Sequence, residues 1–154
     1  MAGEDKVRDS ARRARERSGQ IRADAARAQA RSAQIRQRSE ALRILIVEDH
    51  KDTAEVLRKL LVQVGHEAVV AGSVRDALRA LGESPFSTLL CDIGLPDGNG
   101  LDVVRAVKRA HPEVRAVALS GYALQRDVDL AMQAGFDAHL SKPVSFDDLL
   151  TTLA

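Results

Sequence analysis

The stretch Leu89-Leu-Cys-Asp-Ile-Gly-Leu-Pro-Asp-Gly-Asn-Gly100 is a short apolar run that reaches Asp92 and passes at once into a loop rich in glycine. An apolar strand without a polar face is typical of a parallel sheet that is covered on both sides. In open α/β sheets, ligands bind beyond the carboxyl ends of the strands. The pattern therefore predicts that Asp92 lies at a strand tip, at the ligand-binding edge of such a sheet.

A second acidic strand tip follows the first apolar run, residues 44–47, as Glu48 and Asp49. If the two strands are neighbours, three carboxylates point into one crevice. Like charges at that distance disfavour ionisation unless a cation lies among them, and carboxylate oxygens are ligands of hard divalent cations. The sequence therefore predicts a cation site formed by Glu48, Asp49 and Asp92.

From Arg43 onward, apolar runs alternate with amphipathic helical patterns. The predicted strands are residues 43–47, 67–71, 87–91, 114–119 and 137–140. The helices after them begin near Asp52, Ser73, Gly100, Leu124 and Ser145, with Asp52 and the two serines interpreted as N-caps. Right-handed crossovers then predict an α/β fold, a doubly wound five-stranded parallel sheet of flavodoxin-like order 2-1-3-4-5, which places strands 1 and 3 side by side.

Two further strand tips carry polar groups. The fourth predicted strand leads into Ser120-Gly121, which offers a hydroxyl, and the fifth into Ser141-Lys142-Pro143, which offers an ammonium group. Both can donate hydrogen bonds to phosphoryl oxygens. A carboxylate nucleophile, Mg²⁺ held by oxygen ligands, a hydroxyl and a lysine are the parts of a phosphoryl-transfer site, because that chemistry rests on positioning and charge stabilisation.

In this order, the motifs resemble the response-regulator receiver domain of two-component signalling, over residues 43–154. The resemblance implies that Asp92 accepts a phosphoryl group as an acyl phosphate. Mg²⁺ would be held by Asp49, Asp92 and the backbone carbonyl of Gly94, with Glu48 acting through water. Ser120 and Lys142 would contact the phosphoryl oxygens, and the Lys142-Pro143 peptide is a candidate for the cis form.

The family's usual switch aromatic is replaced by His139, which adds a titratable group; a switch role and a plain strand role both stay open.

The resemblance also implies a function for the protein and the partners that it would bind. It would be a single-domain response regulator, not an enzyme, although it would assist its own phosphorylation and dephosphorylation. The phosphoryl group would come from a histidine kinase or histidine phosphotransfer protein. The signal would pass through a conformational change of the face formed by the fourth and fifth helices and the fifth strand of the sheet. No DNA-binding output domain is expected, and the downstream protein target is open.

Other functions compete with this interpretation. A phosphate sink or a relay intermediate in a multistep phosphorelay would use the same site residues. A haloacid-dehalogenase-like phosphatase also uses a strand-tip aspartate, but its general acid lies two residues later, where this chain has Gly94. A nucleotide-binding module would need a glycine-rich turn after the first strand, and the sequence that follows Val47 is acidic instead.

Residues 1–42 form a basic arm that is rich in alanine and arginine. They hold 11 basic and 6 acidic side chains, a net charge of +5, whereas residues 43–154 hold 12 and 16, a net charge of −4. The arm contains a heptad seam, the stripe made by Val7, Ala11, Ala14, Ser18, Ile21, Ala25, Ala28, Ser32, Ile35, Ser39 and Leu42. Part of it is an internal repeat, because residues 17–22 return fourteen positions later as residues 31–36. We therefore expect a helical extension.

Three roles for the arm stay open: a solvated and partly frayed helix, a helix that contacts a partner or weakly dimerises, and a nucleic-acid or anionic surface binder. Arginines flank the seam and would face one another in a parallel homodimer, which disfavours self-pairing. No aromatic residue lies between the arginines to stack on bases. We expect a chain that is largely monomeric alone.

Composition suggests where the protein works. The single cysteine, Cys91, lies in an apolar run and is interpreted as a buried packing residue. A chain with one cysteine and no internal disulfide is consistent with a reducing compartment. No apolar run approaches the roughly 18 residues of a membrane span, and the N-terminus lacks the apolar segment of a signal peptide. The sequence therefore predicts a soluble, cytoplasmic protein without a membrane contact.

Overall fold

The computed structural model describes residues 2–38, 41–121 and 125–154, in two compact units, Met1–Glu40 and Ala41–Ala154. In the first unit, helix α1 (Ala2–Arg38) confirms the predicted helical extension. Its side chains are described for residues 8–29, and all of them are exposed except Asp9, which is half-buried. In the described residues, no helix is both long and apolar enough to cross a membrane.

The second unit has a parallel sheet of five strands with helices on both faces. Its elements are β1 (Arg43–Val47), α2 (Lys51–Gln63), β2 (Glu67–Ala71), α3 (Val74–Glu83), β3 (Thr88–Asp92), β4 (Gly94–Leu95), β5 (Gly98–Asn99), α4 (Gly100–Ala110), β6 (Arg115–Ser120), α5 (Gln125–Ala134), β7 (Ala138–Ser141) and α6 (Phe146–Leu153). The strand order is β2-β1-β3-β6-β7, and β4 and β5 pair as a short antiparallel hairpin. The predicted fold class and sheet order are confirmed.

Strand β3 explains why helices cover both faces of the sheet. All five of its residues are buried, and successive side chains of a strand point to opposite faces. Leu89 and Cys91 pack in a cluster with residues of α3, α4 and α5, whereas Leu90 packs with leucines of α2 and α6. The central strand therefore has two apolar faces, and each is covered by its own layer of helices.

Three strands end one residue later than predicted, so that each includes a polar residue. Asp92 pairs in register with Leu119, and Ser120 pairs with Ser141. The backbone ladder thus continues past the last apolar residue, because backbone pairing does not depend on side-chain polarity. The functional side chains of β3 and β6 are fixed by the sheet itself.

The start of α2 corrects one prediction. Its N-cap residue is His50, which makes no side-chain capping bond, and Asp52 lies in the first turn, so the prediction that Asp52 is the N-cap is wrong. A carboxylate in the first turn still interacts favourably with the positive end of the helix. The predicted caps Ser73 and Ser145 are confirmed, since their hydroxyls accept from the amides of Asp76 and Asp148.

Candidate functional site

Three carboxylates meet at the carboxyl ends of β1 and β3, as predicted. These strands are neighbours, and Val47 pairs in register with Cys91, so Glu48 and Asp49 follow one strand beside the end of the other. One oxygen from each of Glu48, Asp49 and Asp92 lies within 4.8 Å of the others. Glu48 and Asp92 are 2% and 8% exposed, whereas Asp49 faces solvent. The group has the ligand chemistry and spacing to hold a divalent cation.

Backbone amides fix the orientation of the two buried carboxylates. The amide of His50 donates to Oε1 of Glu48 at 3.1 Å, and the amide of Gly94 donates to Oδ1 of Asp92 at 3.1 Å. Each bond involves an amide two residues after the carboxylate. One oxygen of each carboxylate is therefore held by local backbone, and the other remains for long-range contacts.

Lys142 makes those contacts. Its Nζ donates to Oε2 of Glu48 at 2.6 Å and to Oδ2 of Asp92 at 2.8 Å. Burial alone would lower the pKa of Lys142, but the hydrogen bonds and negative charge of the two carboxylates outweigh burial and raise this pKa. The lysine stays protonated and offsets part of the negative charge of the site. The Lys142-Pro143 peptide is cis, which confirms that expectation.

Ser120 and Gly94 lie at the same end of the sheet. Ser120 is the last residue of β6 and is 4% exposed; its carbonyl accepts from the backbone amide of Lys142 at 2.8 Å. It follows Leu119, the residue that pairs with Asp92. Gly94 begins the β4–β5 hairpin, and a Cβ atom added there would meet no atom within 4 Å. The hairpin therefore leaves open space at Gly94.

His139 lies in β7, opposite Ala118 of β6, and its side chain is half-buried. Its Nε2 is buried and has no hydrogen-bond partner among the described residues. Burial lowers the pKa of His139, and the negative charge of Asp127 on α5 partly opposes that effect. The neutral imidazole is therefore favoured in this conformation.

Gly100, the first residue of α4, is a site residue whose role the sequence analysis missed. A Cβ atom added there would lie 2.2 Å from the backbone oxygen of Asp92 and 3.0 Å from Sγ of Cys91. That thiol also donates to the Asp92 carbonyl at 3.2 Å, and burial, with the charges of Asp92 and Glu48, raises its pKa. A glycine eight residues after a strand-tip aspartate was the available signal, but it was interpreted only as part of a helix start.

The arrangement suits chemistry in which Asp92 is a nucleophile toward an electrophile rich in oxygen atoms. Asp92 is oriented by Gly94, and its negative charge is balanced by Lys142. A cation held by the carboxylates would reduce the repulsion between them and an incoming anion. Phosphoryl transfer is such a reaction, because it depends on in-line positioning and on stabilising charge at the equatorial oxygens.

Comparison with known proteins agrees with this chemistry. A family model described as the response regulator receiver domain matches residues 44–154. The chain is 32% identical over 112 residues to the response regulator protein PilR of Pseudomonas aeruginosa, covering 73% of this chain and 25% of PilR. It is 30% identical over 121 residues to the sensory/regulatory protein RpfC of Xanthomonas campestris pv. campestris, covering 76% and 17%. The chain thus spans a quarter or less of these curated relatives.

Solved structures share the fold. A CheY-like receiver domain protein from Methanospirillum hungatei aligns with a TM-score of 0.70 at 29% identity, covering 74% of this chain and 91% of that protein. A response regulator from Burkholderia pseudomallei, solved with a phosphorylated aspartic acid, calcium ion and citrate, aligns with a TM-score of 0.70 at 26% identity, covering 73% and 66%.

Proposed function

The chain belongs to the response regulator receiver family, and on that premise we propose that it accepts a phosphoryl group on Asp92 from a phosphohistidine. An oxygen of Asp92 forms the new P–O bond while the P–N bond of the donor breaks, and the released imidazole takes up a proton. The donor is a histidine kinase or a histidine phosphotransfer protein. The observation that carries the proposal is the convergence of Asp92 with two more carboxylates and with Lys142 at one sheet edge.

The residues around Asp92 have distinct roles in this proposal. Asp49, Asp92 and the carbonyl of Gly94 would hold Mg²⁺, with Glu48 acting through water, and the ion would supply charge neutralisation. Lys142 and Ser120 stabilise the phosphoryl oxygens. The chain is then a regulatory phosphoacceptor that assists its own phosphorylation and dephosphorylation rather than an enzyme acting on other substrates.

The signal passes to the face formed by α5, β7 and α6. When Lys142 turns from Glu48 toward the phosphoryl group and Ser120 follows, the equilibrium between conformations of this face shifts. His139 lies in β7, between the two helices of that face. Its ring is half-buried and its Nε2 has no hydrogen-bond partner in the part of the chain that the structure describes, which supports a switch role. A downstream partner protein reads the altered surface.

The chain acts in the cytoplasm through contacts with other proteins. Its arm, residues 1–42, contributes a helical contact with a partner. The second candidate function is a phosphate sink or relay intermediate. The similarity to RpfC, a sensory/regulatory protein, favours keeping that candidate. A haloacid-dehalogenase-like phosphatase is disfavoured, because a glycine lies where its general acid would be.

The test is phosphorylation by a small phosphodonor such as acetyl phosphate with Mg²⁺, followed by mass spectrometry of the intact protein. We expect one acid-labile phosphoryl group on the wild-type chain and none on Asp92→Asn, which lacks the nucleophilic oxygen. Asp102→Asn is the matched control, because Asp102 is exposed and its only described bond is to Arg105. Undiminished labelling of Asp92→Asn would exclude Asp92 as the acceptor.

Transfer from phosphorylated histidine kinases then separates the two functions. A relay intermediate passes the group on to a histidine phosphotransfer protein, whereas a stand-alone regulator retains it until hydrolysis. Loss of label from Asp92 to such a protein would favour the relay.

A further inference from the structure

Large apolar residues recur on α1 at every second heptad. Val7, Ile21 and Ile35 are each separated by fourteen positions, and alanine and serine fill the seam between them. Ile21 is 69% exposed in this structure. A seam in which three small residues separate successive β-branched residues allows a second helix to approach closely, with its larger side chains over the small ones.

The arginines among residues 8–22 of α1 are of two kinds. Arg12 and Arg13 lie away from the seam and pair within the helix, with Asp9 at 2.9 and 2.8 Å and, for Arg12, with Glu16 at 3.8 Å. Arg15, Arg17 and Arg22 lie beside the seam, and none of them makes an ion pair or side-chain hydrogen bond with another described residue. Positive charge in this segment is thus balanced on the outer face and left unbalanced along both edges of the seam.

A second copy of the arm does not supply the missing charge. In a parallel pair of helices, the residues on the two edges of the seam face each other across the interface, which places Arg17 near Arg22 of the other copy. In an antiparallel pair, each edge of the seam faces the equivalent edge of the other copy, which again places arginine opposite arginine. Of the flanking positions between residues 15 and 31, only Asp24 and Gln29 are not arginine. A partner must therefore bring carboxylates.

The composition of the seam favours an acidic helix as the partner over a membrane or a nucleic acid. A helix that lies on a membrane normally presents bulky leucine, phenylalanine or tryptophan side chains, and this seam is mostly alanine and serine. Single-stranded nucleic acid binds where aromatic residues stack on bases, and residues 1–42 contain none. Neither surface requires a seam that repeats at heptad spacing.

We propose that residues 1–42 bind an acidic amphipathic helix of a partner protein, with the seam packed against its apolar stripe and the flanking arginines paired with carboxylates on both sides. The inference rests on the proposed contact between the arm and a partner, and it does not depend on the chemistry of Asp92. Specificity comes from the position of the charges along the seam rather than from net charge.

The test uses the full chain and a synthetic acidic peptide of about four heptads, long enough to form a helix. The peptide has isoleucine and alanine at its seam and glutamate at both flanking positions. A control peptide of the same composition carries its glutamates on the outer face. Binding is followed by sedimentation and by circular dichroism at low and physiological salt, with vesicles containing phosphatidylserine and duplex DNA as competing probes.

We expect the first peptide to bind and to increase helicity, with weaker binding at higher salt, and the control peptide to bind at least about tenfold less tightly. The triple variant Arg15→Gln, Arg17→Gln, Arg22→Gln loses roughly tenfold in affinity, since three exposed ion pairs are removed. The matched triple variant Arg12→Gln, Arg13→Gln, Arg27→Gln removes the same net charge from outside the seam, and we expect its affinity to be nearly that of wild type.

Equal binding of the two peptides, or equal losses in the two triple variants, would overturn the proposal. So would tighter binding to the vesicles or to DNA, which would assign the arm to that surface, or a stable homodimer of the chain alone. Labelling of Asp92 is measured in the same samples. Normal labelling without peptide binding would disprove the arm contact only, whereas peptide binding without labelling would disprove the proposed phosphoacceptor function only.

Discussion

Gly100 determines how closely helix α4 approaches the end of β3. Its amide donates to the carbonyl of Ile93 at 2.8 Å, and its Cα faces the backbone oxygen of Asp92. Any side chain at this position must displace either α4 or the end of β3. The glycine thus acts on Asp92 through the backbone, without contributing a functional group.

We expect Gly100→Ala to lower the free energy of unfolding by about 1–3 kcal/mol, the usual effect of forcing a methyl group into a filled site, and to slow phosphorylation of Asp92. Gly82→Ala is the control. Gly82 is an exposed residue of α3 with no atom within 4 Å of its Cβ position, so the alanine variant should be slightly more stable than wild type. Urea unfolding and phosphodonor labelling measure both effects, and equal stability changes in the two variants would contradict the close approach.

Lys142→Ala should separate phosphorylation from the response to it. Labelling of Asp92 should continue at a lower rate, because the nucleophile remains while one positive charge is lost. The amide resonances of α5, β7 and α6 should then shift less on labelling than in wild type, as measured by NMR. Lys51→Ala, an exposed lysine at the start of α2, is the control. A wild-type pattern of shifts in Lys142→Ala would show that another group drives the change.

The sequence predicted the carboxylates, Lys142 and Ser120 because each follows an apolar strand, and the edge of a parallel sheet brings strand ends together. It did not predict which oxygen of Glu48 contacts Lys142, nor the approach of Gly100 to Asp92. These contacts depend on helix placement and rotamers, which local patterns do not encode.

At the scale of the elements, the β4–β5 hairpin connects the site to a neighbouring helix. Asp97 lies in its turn and accepts from the amides of Val74 and Arg75, the first two residues of α3, at 2.8 and 3.2 Å. These two backbone bonds hold the pKa of Asp97 below its ordinary value. The loop after Asp92 is therefore tied to α3 as well as to α4.

Replacing Asp97 with alanine should speed hydrogen exchange of the Val74 and Arg75 amides, because both lose their acceptor. Asp102→Ala removes an exposed carboxylate of α4 that bonds only to Arg105 among the described residues, and it should leave those amides unchanged. Exchange measured by NMR distinguishes the two variants. Unchanged protection in Asp97→Ala would mean that the Asp97 carboxylate does not protect these two amides.

Element types were predictable from periodicity, but this hairpin was not. Its two-residue strands contain no apolar alternation, and a segment rich in glycine, proline and asparagine reads as a loop. The bonds of Asp97 to the start of α3, 23 and 22 residues earlier in the chain, are tertiary contacts that no local signal identifies.

At the scale of the whole molecule, His66 ties the beginning of the second unit to its sheet. The amide of Leu42 donates to Nδ1 of His66 at 3.1 Å, and the carbonyl of Leu42 accepts from Glu67 at 2.9 Å. Burial lowers the pKa of His66. The bond to Leu42 requires the neutral ring, because a protonated Nδ1 cannot accept a hydrogen bond.

Because that pKa is lower in the folded chain, the unfolded chain takes up the proton first as the pH falls. The contribution of His66 to the free energy of unfolding should thus be complete above its pKa in the unfolded chain, about 6.5. It should decrease as the pH falls from that value toward the pKa in the folded chain. His139, whose pKa is lowered in the same direction, adds to the decrease. We expect His66→Asn to show a shallower decrease than wild type in urea unfolding between about pH 7.5 and about pH 5.5. Identical slopes would mean that His66 does not titrate with folding.

The cluster of Glu48, Asp49 and Asp92 also has a consequence for evolution. A site that brings like charges within 4.8 Å of one another is locally frustrated, and Lys142 contacts only two of the three carboxylates. Evolution tolerates such destabilising arrangements where function requires them. In a chelating buffer, the free energy of unfolding of Asp49→Asn should exceed that of wild type by about 1 kcal/mol. The variant should therefore unfold at a higher urea concentration. Mg²⁺ should reduce this difference in the free energy of unfolding, because it binds the folded wild-type chain more tightly than the folded variant. The cation would then be a folding ligand of this chain, and stability would vary with the Mg²⁺ concentration around it.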